Sequence, residues 1–465
     1  MKNSKLLAGV ARRIITPPKG IFLIGYGDRT KGNLGVHDDL TATALVLDDG
    51  ATRLAIVALD MLVINEFIAD RVREKCRAGF TSRPTEKAGM ESRPTEVILC
   101  CSHTHSGPIA YADDKSKPLN RDYINLLVER ITEAVNEAAA NIAPARLEWS
   151  QGESDIAINR RQKMPDGHME IGRNPEGVVD RSVQILSILT TPIAHHSSLV
   201  TRHSSPATRL ATLINFPCHG TVLGPDNLLA SADWIGVMRH KVEQELGGMA
   251  LFIQGATANL NPDMYWNYAR SFEMAAEQGE RVAQSVFAAV GKEAQPLDGL
   301  PLKIVRSEVW MPLESPAVTP LPPKAYRKPL LVMANLPSWM GFLTDFLLNI
   351  RYPWKSRIEA RGGFWSVPMR LNASRSGELA LVTFGAEVFT EIGLAVKAAS
   401  PARHTLFASV TDGCISYLHT AAAHPEGGYE VDVAPYAYRY PGKLSAECER
   451  IALDAANDAL TELWK

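Results

Sequence analysis

Apolar and polar positions alternate in blocks along the first third of the chain. Residues 40–50 and 52–64 carry apolar runs bounded by turn-forming residues, and residues 96–101 form a third run, EVILCC. Short runs of this kind predict buried strands. Residues 122–142 instead repeat apolar side chains every three to four positions, the spacing of an amphipathic helix. Strand, connecting loop and helix in this order indicate an α/β fold.

Four later apolar runs resemble the early strands in length and composition. They cover residues 210–216, 249–254, 379–384 and 404–410, and polar residues follow each of them. Together with the helical patterns between and after them, they predict one α/β domain over residues 1–465, with mixed β-sheets flanked by helices. Since α/β folds usually carry their chemistry at the carboxyl ends of strands, we expect a functional site there.

One segment interrupts this pattern with a longer apolar stretch, at residues 329–350. The stretch contains four residues that disfavour a membrane-spanning helix: Asn335, Pro337, Asp345 and Asn349. We therefore expect a hydrophobic insertion at about 320–360 and no transmembrane segment. A packed helical insertion is the first interpretation; an apolar lid over a substrate, a dimer contact and an interfacial segment are the alternatives.

Composition and charge narrow the class of protein. Of the 465 residues, 46% are apolar and 22% are charged, and the formal net charge is −2. Because there is no basic surplus to neutralise phosphates, nucleic acid is not an expected partner. Six scattered cysteines without a CxxC pair predict reduced thiols, and Arg12 and Arg13 break the N-terminal apolar run, so no secretory signal is expected. These features predict a cytoplasmic protein, and they do not predict its oligomeric state.

Residues able to bind a metal ion follow several of the predicted strands. His103 and His105 lie in CSHTHSGP after the third strand, and His219 lies in PCHG after a later strand. Glu387 and Tyr417 follow the last two strands. Catalytic zinc takes three or four nitrogen, oxygen or sulfur ligands and keeps a position for water. The joint placement of these residues predicts a Zn²⁺ site.

The order of these motifs resembles that of the neutral/alkaline non-lysosomal ceramidase family over residues 8 to about 420. The matching segments are AGVARRIITPP, GVHDDLTATALVLDDG, SHTHSGP, INR, INFPCHG, SADWIG, FIQGATANLNPD, FGAEVFTEIG and SYLHT. The resemblance implies the fold of the ceramidase catalytic domain. It also implies that His103, His219, Glu387 and Tyr417 ligate a zinc ion.

The resemblance implies roles for neighbouring residues as well. His105 matches the family's proton-transfer residue beside the metal's water, and Arg160 in INR matches an arginine near the site. Tyr417 is expected to ligate the metal or to stabilise an oxyanion. Asn261 stands where the family has a catalytic serine. An amide side chain is not a nucleophile, but it can hydrogen-bond an oxyanion or a substrate hydroxyl.

Three further residues are candidates for substrate binding or for supporting the metal ligands. His37 either lines the cleft or shapes a turn. Asp60 follows a predicted strand and is placed under the site. Asp233 either holds a ligand histidine or caps the helix that follows it.

These observations predict a zinc-dependent hydrolase that cleaves a linear amide (N-acyl) bond by metal-activated water. The expected partner is a small-molecule amide, and the segment 329–350 suits an acyl or other hydrophobic group. The C-terminal β-sandwich domain of ceramidases is not expected here, so ceramide itself is not the expected substrate. A metal-dependent esterase or lactonase, and a non-catalytic binding protein on the same fold, are the alternatives.

Overall fold

A computed structural model describes residues 5–27, 29–81, 95–108, 110, 118–191, 207–263, 270–317, 357–438 and 440–465. The segment 329–350 lies outside these residues, as does most of the insertion predicted at about 320–360. Among the described residues, no helix has the length and apolar character needed to cross a membrane.

The described residues form a series of strands with helices between them. The strands are β1 (Leu7–Ile14), β2 (Gly35–Val36), β3 (Thr41–Asp48), β4 (Arg53–Leu59), β5 (Thr95–Cys101), β6 (Ala143–Glu153), β7 (Ala157–Lys163), β8 (Met169–Asn174), β9 (Ser182–Thr190), β10 (Arg209–Phe216), β11 (Leu229–Ala230), β12 (Met249–Gln254), β13 (Leu260–Pro262), β14 (Gln295–Leu297), β15 (Leu302–Pro316), β16 (Glu359–Arg361), β17 (Phe364–Ser376), β18 (Leu379–Phe384), β19 (Glu387–Val388), β20 (His404–Ala408) and β21 (Tyr417–Leu418). The helices are α1 (Glu66–Thr81), α2 (Pro118–Ala140), α3 (Asp233–Leu246), α4 (Phe272–Glu293), α5 (Thr390–Ala399), α6 (Ala434–Ala437) and α7 (Cys448–Trp464), and a π-helical turn, Tyr429–Val433, precedes α6.

Two sheets make up the centre of the fold. The larger sheet has the strand order β12-β10-β9-β6-β1-β3-β4-β5, with β14 beside β6. Its pairs β4/β5 and β10/β12 are parallel and its other pairs are antiparallel. The smaller sheet has the order β15-β17-β18-β20, with β16 beside β17, and its pair β18/β20 is parallel. Mixed sheets flanked by helices are therefore confirmed.

The alternation of side chains along the strands explains how the layers stack. One face of the larger sheet packs on the smaller sheet through a shared core that includes Leu45, Ile56, Leu381 and Leu406. The opposite face packs against helices: α1 and α2 contribute to one cluster, and α3 and α4 to another. Cys100 lies in the core between the sheets and Cys101 in the core under the helices, as two neighbours on a strand must.

The carboxyl ends of the three parallel strand pairs in these two sheets meet in one region. The sequence predicts an apolar strand over residues 52–64, but β4 ends five residues earlier, at Leu59. The chain turns there, and the carbonyls of Leu59 and Met61 accept hydrogen bonds from the backbone of Ser102 and His103. The smaller sheet reaches the same place, because Ser409 donates its N–H to the carbonyl of Gln254 at 2.9 Å. Segments from both sheets therefore surround one site.

The buried carboxylate of Asp412 contacts both sheets and α1. Asp412 is fully buried; it accepts hydrogen bonds from the backbone N–H of Leu99 and from the amide of Asn372, both at 2.9 Å. The guanidinium of Arg73 on α1 pairs with it at 2.5 Å. Both charged side chains are buried, so each is stabilised by the opposite charge of its partner.

We expect Asp412→Asn to destabilise the protein strongly. The amide keeps the size of the side chain and tolerates the left-handed backbone of residue 412 (φ 59°). It removes the buried countercharge of Arg73 and leaves it with Asp70, whose side chain is half-exposed. The free energy of unfolding should fall by about 3–5 kcal/mol, the range for breaking a buried ion pair. Urea unfolding followed by circular dichroism measures this. Asp454→Asn is the control, because its pair with Arg450 is exposed; an equal effect in both variants would contradict the assignment.

Candidate metal centre

His103 is held in an uncommon backbone conformation just beyond β5. Its φ is 63°, in the left-handed region that non-glycine residues rarely adopt. Its ring Nδ1 lies 2.8 Å from the carbonyl oxygen of Leu62. Because a carbonyl only accepts, Nδ1 carries a hydrogen, and in the neutral ring Nε2 is left with a lone pair.

His219 reaches the same point from the end of β10. Its Nδ1 lies 2.7 Å from the carbonyl oxygen of Leu260, so its Nε2 is also left with a lone pair. The indole N–H of Trp234 donates to the His219 carbonyl at 2.9 Å and fixes the backbone. Burial is the main cause that lowers the pKa of the His219 imidazole to about 4, so the ring is neutral near pH 7.

Glu387 brings a carboxylate to these two rings. It lies on the two-residue strand β19, which pairs in parallel with β21 so that Glu387 stands opposite Tyr417. Its Oε2 lies 3.2 Å from Nε2 of His103 and 3.6 Å from Nε2 of His219. Burial by itself would raise the pKa of the Glu387 carboxyl, but the two imidazoles hold it well below its usual range. The site therefore contains an ionised carboxylate.

The geometry of these three groups fits a metal ion. Nε2 of His103, Nε2 of His219 and Oε2 of Glu387 converge on one buried point, where a proton or a metal ion can join the carboxylate oxygen to the ring nitrogens. Backbone carbonyls at Nδ1 are the usual outer partners of metal-binding histidines. Two imidazoles and a carboxylate are a ligand set typical of catalytic zinc.

His105 completes a group of three imidazoles with His103 and His219. One ring nitrogen of each lies within 4.8 Å of a ring nitrogen of the other two. His105 differs from the other two, because both of its ring nitrogens are shielded from solvent and neither has a hydrogen-bond partner in the described part of the chain. Its ring packs against Tyr26 at a centroid distance of 5.0 Å. No carbonyl orients it as one orients His103 and His219, so it is better suited to proton transfer than to ligation.

Arg160, Tyr417 and Asn261 lie on the other side of the histidines. The Arg160 guanidinium is centred 5.6 Å from the Tyr417 ring, and its Nη1 donates to Oδ1 of Asn261 at 3.2 Å. Nε of Arg160 donates to Oε1 of Glu430 at 2.9 Å. Its Nη2 is buried and lacks a hydrogen-bond partner among the described residues. Burial and the negative charge of Glu387 raise the pKa of the Tyr417 phenol well above its usual value.

The sequence model of the neutral/alkaline non-lysosomal ceramidases, N-terminal region, matches residues 6–261. The chain belongs to this family. The matched range includes five of the site residues: His103, His105, Arg160, His219 and Asn261. Glu387 and Tyr417 lie beyond it, and the fold brings them to the same place.

Two curated members of the family illustrate the similarity. The neutral ceramidase of Pseudomonas aeruginosa is 24% identical over 479 aligned residues, which cover 88% of this chain and 66% of that protein. The neutral ceramidase of Mycobacterium tuberculosis is 25% identical over 266 residues, covering 52% of this chain and 38% of that protein. The chain thus spans about two thirds of the length of the first relative and a smaller share of the second.

Solved ceramidase structures share the fold. The crystal structure of neutral ceramidase from Pseudomonas aeruginosa matches with a TM-score of 0.71 and 20% identity, covering 99% of this chain and 75% of that one. A structure described as a ceramidase complexed with C2 matches with the same TM-score, at 19% identity and with 99% and 76% coverage. Because the sequence identity is low, this structural similarity establishes the fold alone.

The three remaining candidates do not contact the histidine cluster within the described part of the chain. His37 has a 43% exposed side chain and stacks on Phe272 at 3.6 Å. Asp60 is buried, but it accepts hydrogen bonds from Thr41 and from Arg239, so it ties β3 to α3.

Asp233 holds backbone rather than a histidine ring. Its carboxylate accepts from the N–H groups of Val222 and Leu223 and thereby shapes the loop after His219. Asp233 is itself the first residue of α3, and its Oδ1 also accepts from the N–H of Trp234. The rings of His103 and His219 are oriented by carbonyls instead, which no residue type in the sequence could have indicated.

Several residues that the motifs did not single out also shape the site. Glu430, on the π-helical turn, binds Arg160 and Arg161 through different oxygens, at 2.9 and 3.0 Å. Tyr438 donates to Glu387, and Tyr26 packs on His105. Each lies outside the quoted motifs: Glu430 and Tyr438 follow SYLHT, and Tyr26 precedes GVHDD. The sole local signal is the aromatic and acidic composition of residues 426–440.

We expect purified protein to bind about one zinc ion per chain, as a single catalytic site would, and His219→Ala to lose it. The substitution removes one of the converging lone pairs and leaves a cavity in its place. Elemental mass spectrometry of protein dialysed against zinc measures the content. His37→Ala is the control, since that ring is exposed and stacks on Phe272. Equal zinc content in both variants would rule out the site described.

Proposed function

We propose that this protein is a metal-dependent hydrolase that cleaves linear amide (N-acyl) bonds, with zinc as its metal. The observation that carries the proposal is the convergence of two imidazole Nε2 atoms and one carboxylate oxygen, all buried, beside a third imidazole without partners. Membership of a family whose curated relatives are neutral ceramidases supports the choice of an amide bond.

His103, His219 and Glu387 would hold the ion, and Tyr417, opposite Glu387 on the neighbouring strand, would be the fourth ligand. The chemistry that zinc supplies when bound is polarisation of the substrate carbonyl and acidification of water toward neutral pH. The protein's part is to orient both rings and to select their tautomer. The carbonyls of Leu62 and Leu260 accept the hydrogens on Nδ1, which makes Nε2 the ligand atom of each neutral ring.

His105 is the proton-transfer group in this proposal. Burial lowers its pKa well below its usual value, so the free ring is neutral and can accept a proton from water. No described residue hydrogen-bonds to either ring nitrogen, so the proton can then be donated to the departing amine. Gly25 and Tyr26 border the ring and limit its movement.

Asn261 supplies a hydrogen-bond donor where the resemblance would place a serine. A guanidinium only donates, so the 3.2 Å contact from Arg160 identifies Oδ1 of Asn261 as its acceptor and turns Nδ2 away from Arg160. An N–H₂ group in that position can donate to the oxygen of a carbonyl undergoing attack. Attack on the amide then depends on water rather than on a side-chain nucleophile.

Two wider predictions remain part of the proposal. The substrate is taken to be a small N-acyl compound other than ceramide, and the cellular location to be the cytoplasm. All six cysteines are free and buried, which supports a reducing compartment.

We expect zinc-loaded protein to release amine from N-acyl amides and His105→Ala to lower kcat by about 10²–10⁴-fold while keeping its zinc. Amine release and zinc content are measured on the same samples. His168→Ala is the control, because that ring is exposed on the β7–β8 hairpin. Faster turnover of the matched ester than of the amide would favour an esterase. Zinc binding without turnover of either substrate would favour a binding protein.

We expect Gly25→Ala to impair turnover through the position of His105. A Cβ at residue 25 would lie 2.6 Å from Nδ1 of His105, and the φ of Gly25 is 120°. Since the ring must move or the loop must shift, kcat should fall by about tenfold or more, the scale of small misplacements in active sites. Gly27→Ala is the matched control, since nothing lies within 4 Å of its Cβ position. Comparable kcat values in the two variants would contradict a role for this loop.

A further inference from the structure

The two oxygens of Glu387 have different surroundings. Oε2 faces Nε2 of His103 and of His219. Oε1 points away from them and accepts a hydrogen bond from the hydroxyl of Tyr438 at 3.3 Å. A carboxyl group rotates readily about its last bond, so an interaction at one oxygen helps to determine where the other points.

Tyr438 is held in place by contacts of its own. It follows α6, and its N–H donates to the carbonyl of Ala434 at 3.1 Å. Its hydroxyl also lies 3.4 Å from Sγ of Cys414, which is buried in the loop between β20 and β21. An ionised carboxylate cannot donate, so the phenolic hydrogen of Tyr438 points to Glu387. The thiol of Cys414 then donates to the phenolic oxygen.

These contacts form a chain from Cys414 through Tyr438 to Glu387. The chain ends on the oxygen of Glu387 that does not face the histidines. Without the hydroxyl, Oε1 would lose this hydrogen bond in a buried setting, since Glu387 is 5% exposed. Turning Oε1 toward the histidines would then compete with the arrangement in which Oε2 alone faces them.

We propose that Tyr438 is a positioning residue that holds Glu387 with a single oxygen toward His103 and His219 and so sets the affinity of the site for its metal ion. The inference rests on the metal centre of the proposed function and adds a residue to it. Hydrogen bonds to metal-binding carboxylates act on affinity through orientation, and their loss weakens binding by about 10–100-fold.

The chain provides a matched control two residues away. Tyr440 is buried and stacks on Tyr438 at a centroid distance of 6.1 Å, but its hydroxyl has no hydrogen-bond partner among the described residues. Tyr438→Phe and Tyr440→Phe therefore delete the same atom from neighbouring rings. The first substitution removes the hydrogen bond to Glu387, and the second does not.

The experiment measures the zinc dissociation constant of the full-length chain by competition with a chromophoric chelator. We expect Tyr438→Phe to raise it by about 10–100-fold, and Tyr440→Phe to leave it unchanged. The visible spectrum of the cobalt-substituted protein should change in Tyr438→Phe alone. Thermal unfolding of the metal-free proteins checks that both variants fold. Equal zinc affinities of the two variants would overturn the inference and leave the metal centre intact.

Two further outcomes are informative. A wild-type chain that binds no zinc would overturn both this inference and the proposed function. If Tyr438→Phe does not fold, Cys414→Val removes the donor at the other end of the chain with little change in volume, and Cys414→Ser retains a donor. Weaker zinc binding in Cys414→Val than in Cys414→Ser is expected, and equal binding would overturn the inference.

Discussion

The site depends on one electrostatic constraint: the ring nitrogens of His103 and His219 and one carboxylate oxygen of Glu387 converge on the same point. A proton or a metal ion must lie between the carboxylate and the rings for this arrangement to be stable. Burial makes the constraint stronger, because His103, His219 and Glu387 are each at most 5% exposed and water cannot screen them. The surrounding structure fixes each group from outside. Carbonyls hold the two rings, and Tyr438 holds the free oxygen of Glu387.

The two-sheet architecture is what makes this convergence possible. The histidines come from the end of the larger sheet, after β5 and β10, whereas Glu387 and Tyr417 follow strands of the smaller sheet. Neither sheet carries a complete set of ligands. The two sheets are joined by their shared core and by the buried pair between Asp412 and Arg73. The stability of the fold and the geometry of the site are therefore coupled.

This chain departs from the family pattern at Asn261, which stands where the resemblance places a serine. Asn261 and Arg160 contact each other there, and Glu430 balances the charge of Arg160. These residues line the position where the family resemblance placed a serine. The chain keeps the four residues that the resemblance implies as metal ligands. In the proposed function, the change therefore concerns how the substrate is held and not the metal ligands.

The sequence by itself determined several local features: the apolar runs that form β3, β4, β5, β10, β12, β18 and β20, the amphipathic helix of residues 122–142, and the metal-capable residues that follow the strands. These depend on short-range periodicity and on residue type, which a sequence displays directly. The tertiary structure alone decided which groups meet. Asp60 pairs with Arg239 and Asp233 binds backbone amides, whereas Tyr438, Glu430 and Tyr26 reach the site from loops without a motif. The partners of the histidine rings are backbone carbonyls, and since every residue has one, position in space rather than residue type selects those of Leu62 and Leu260.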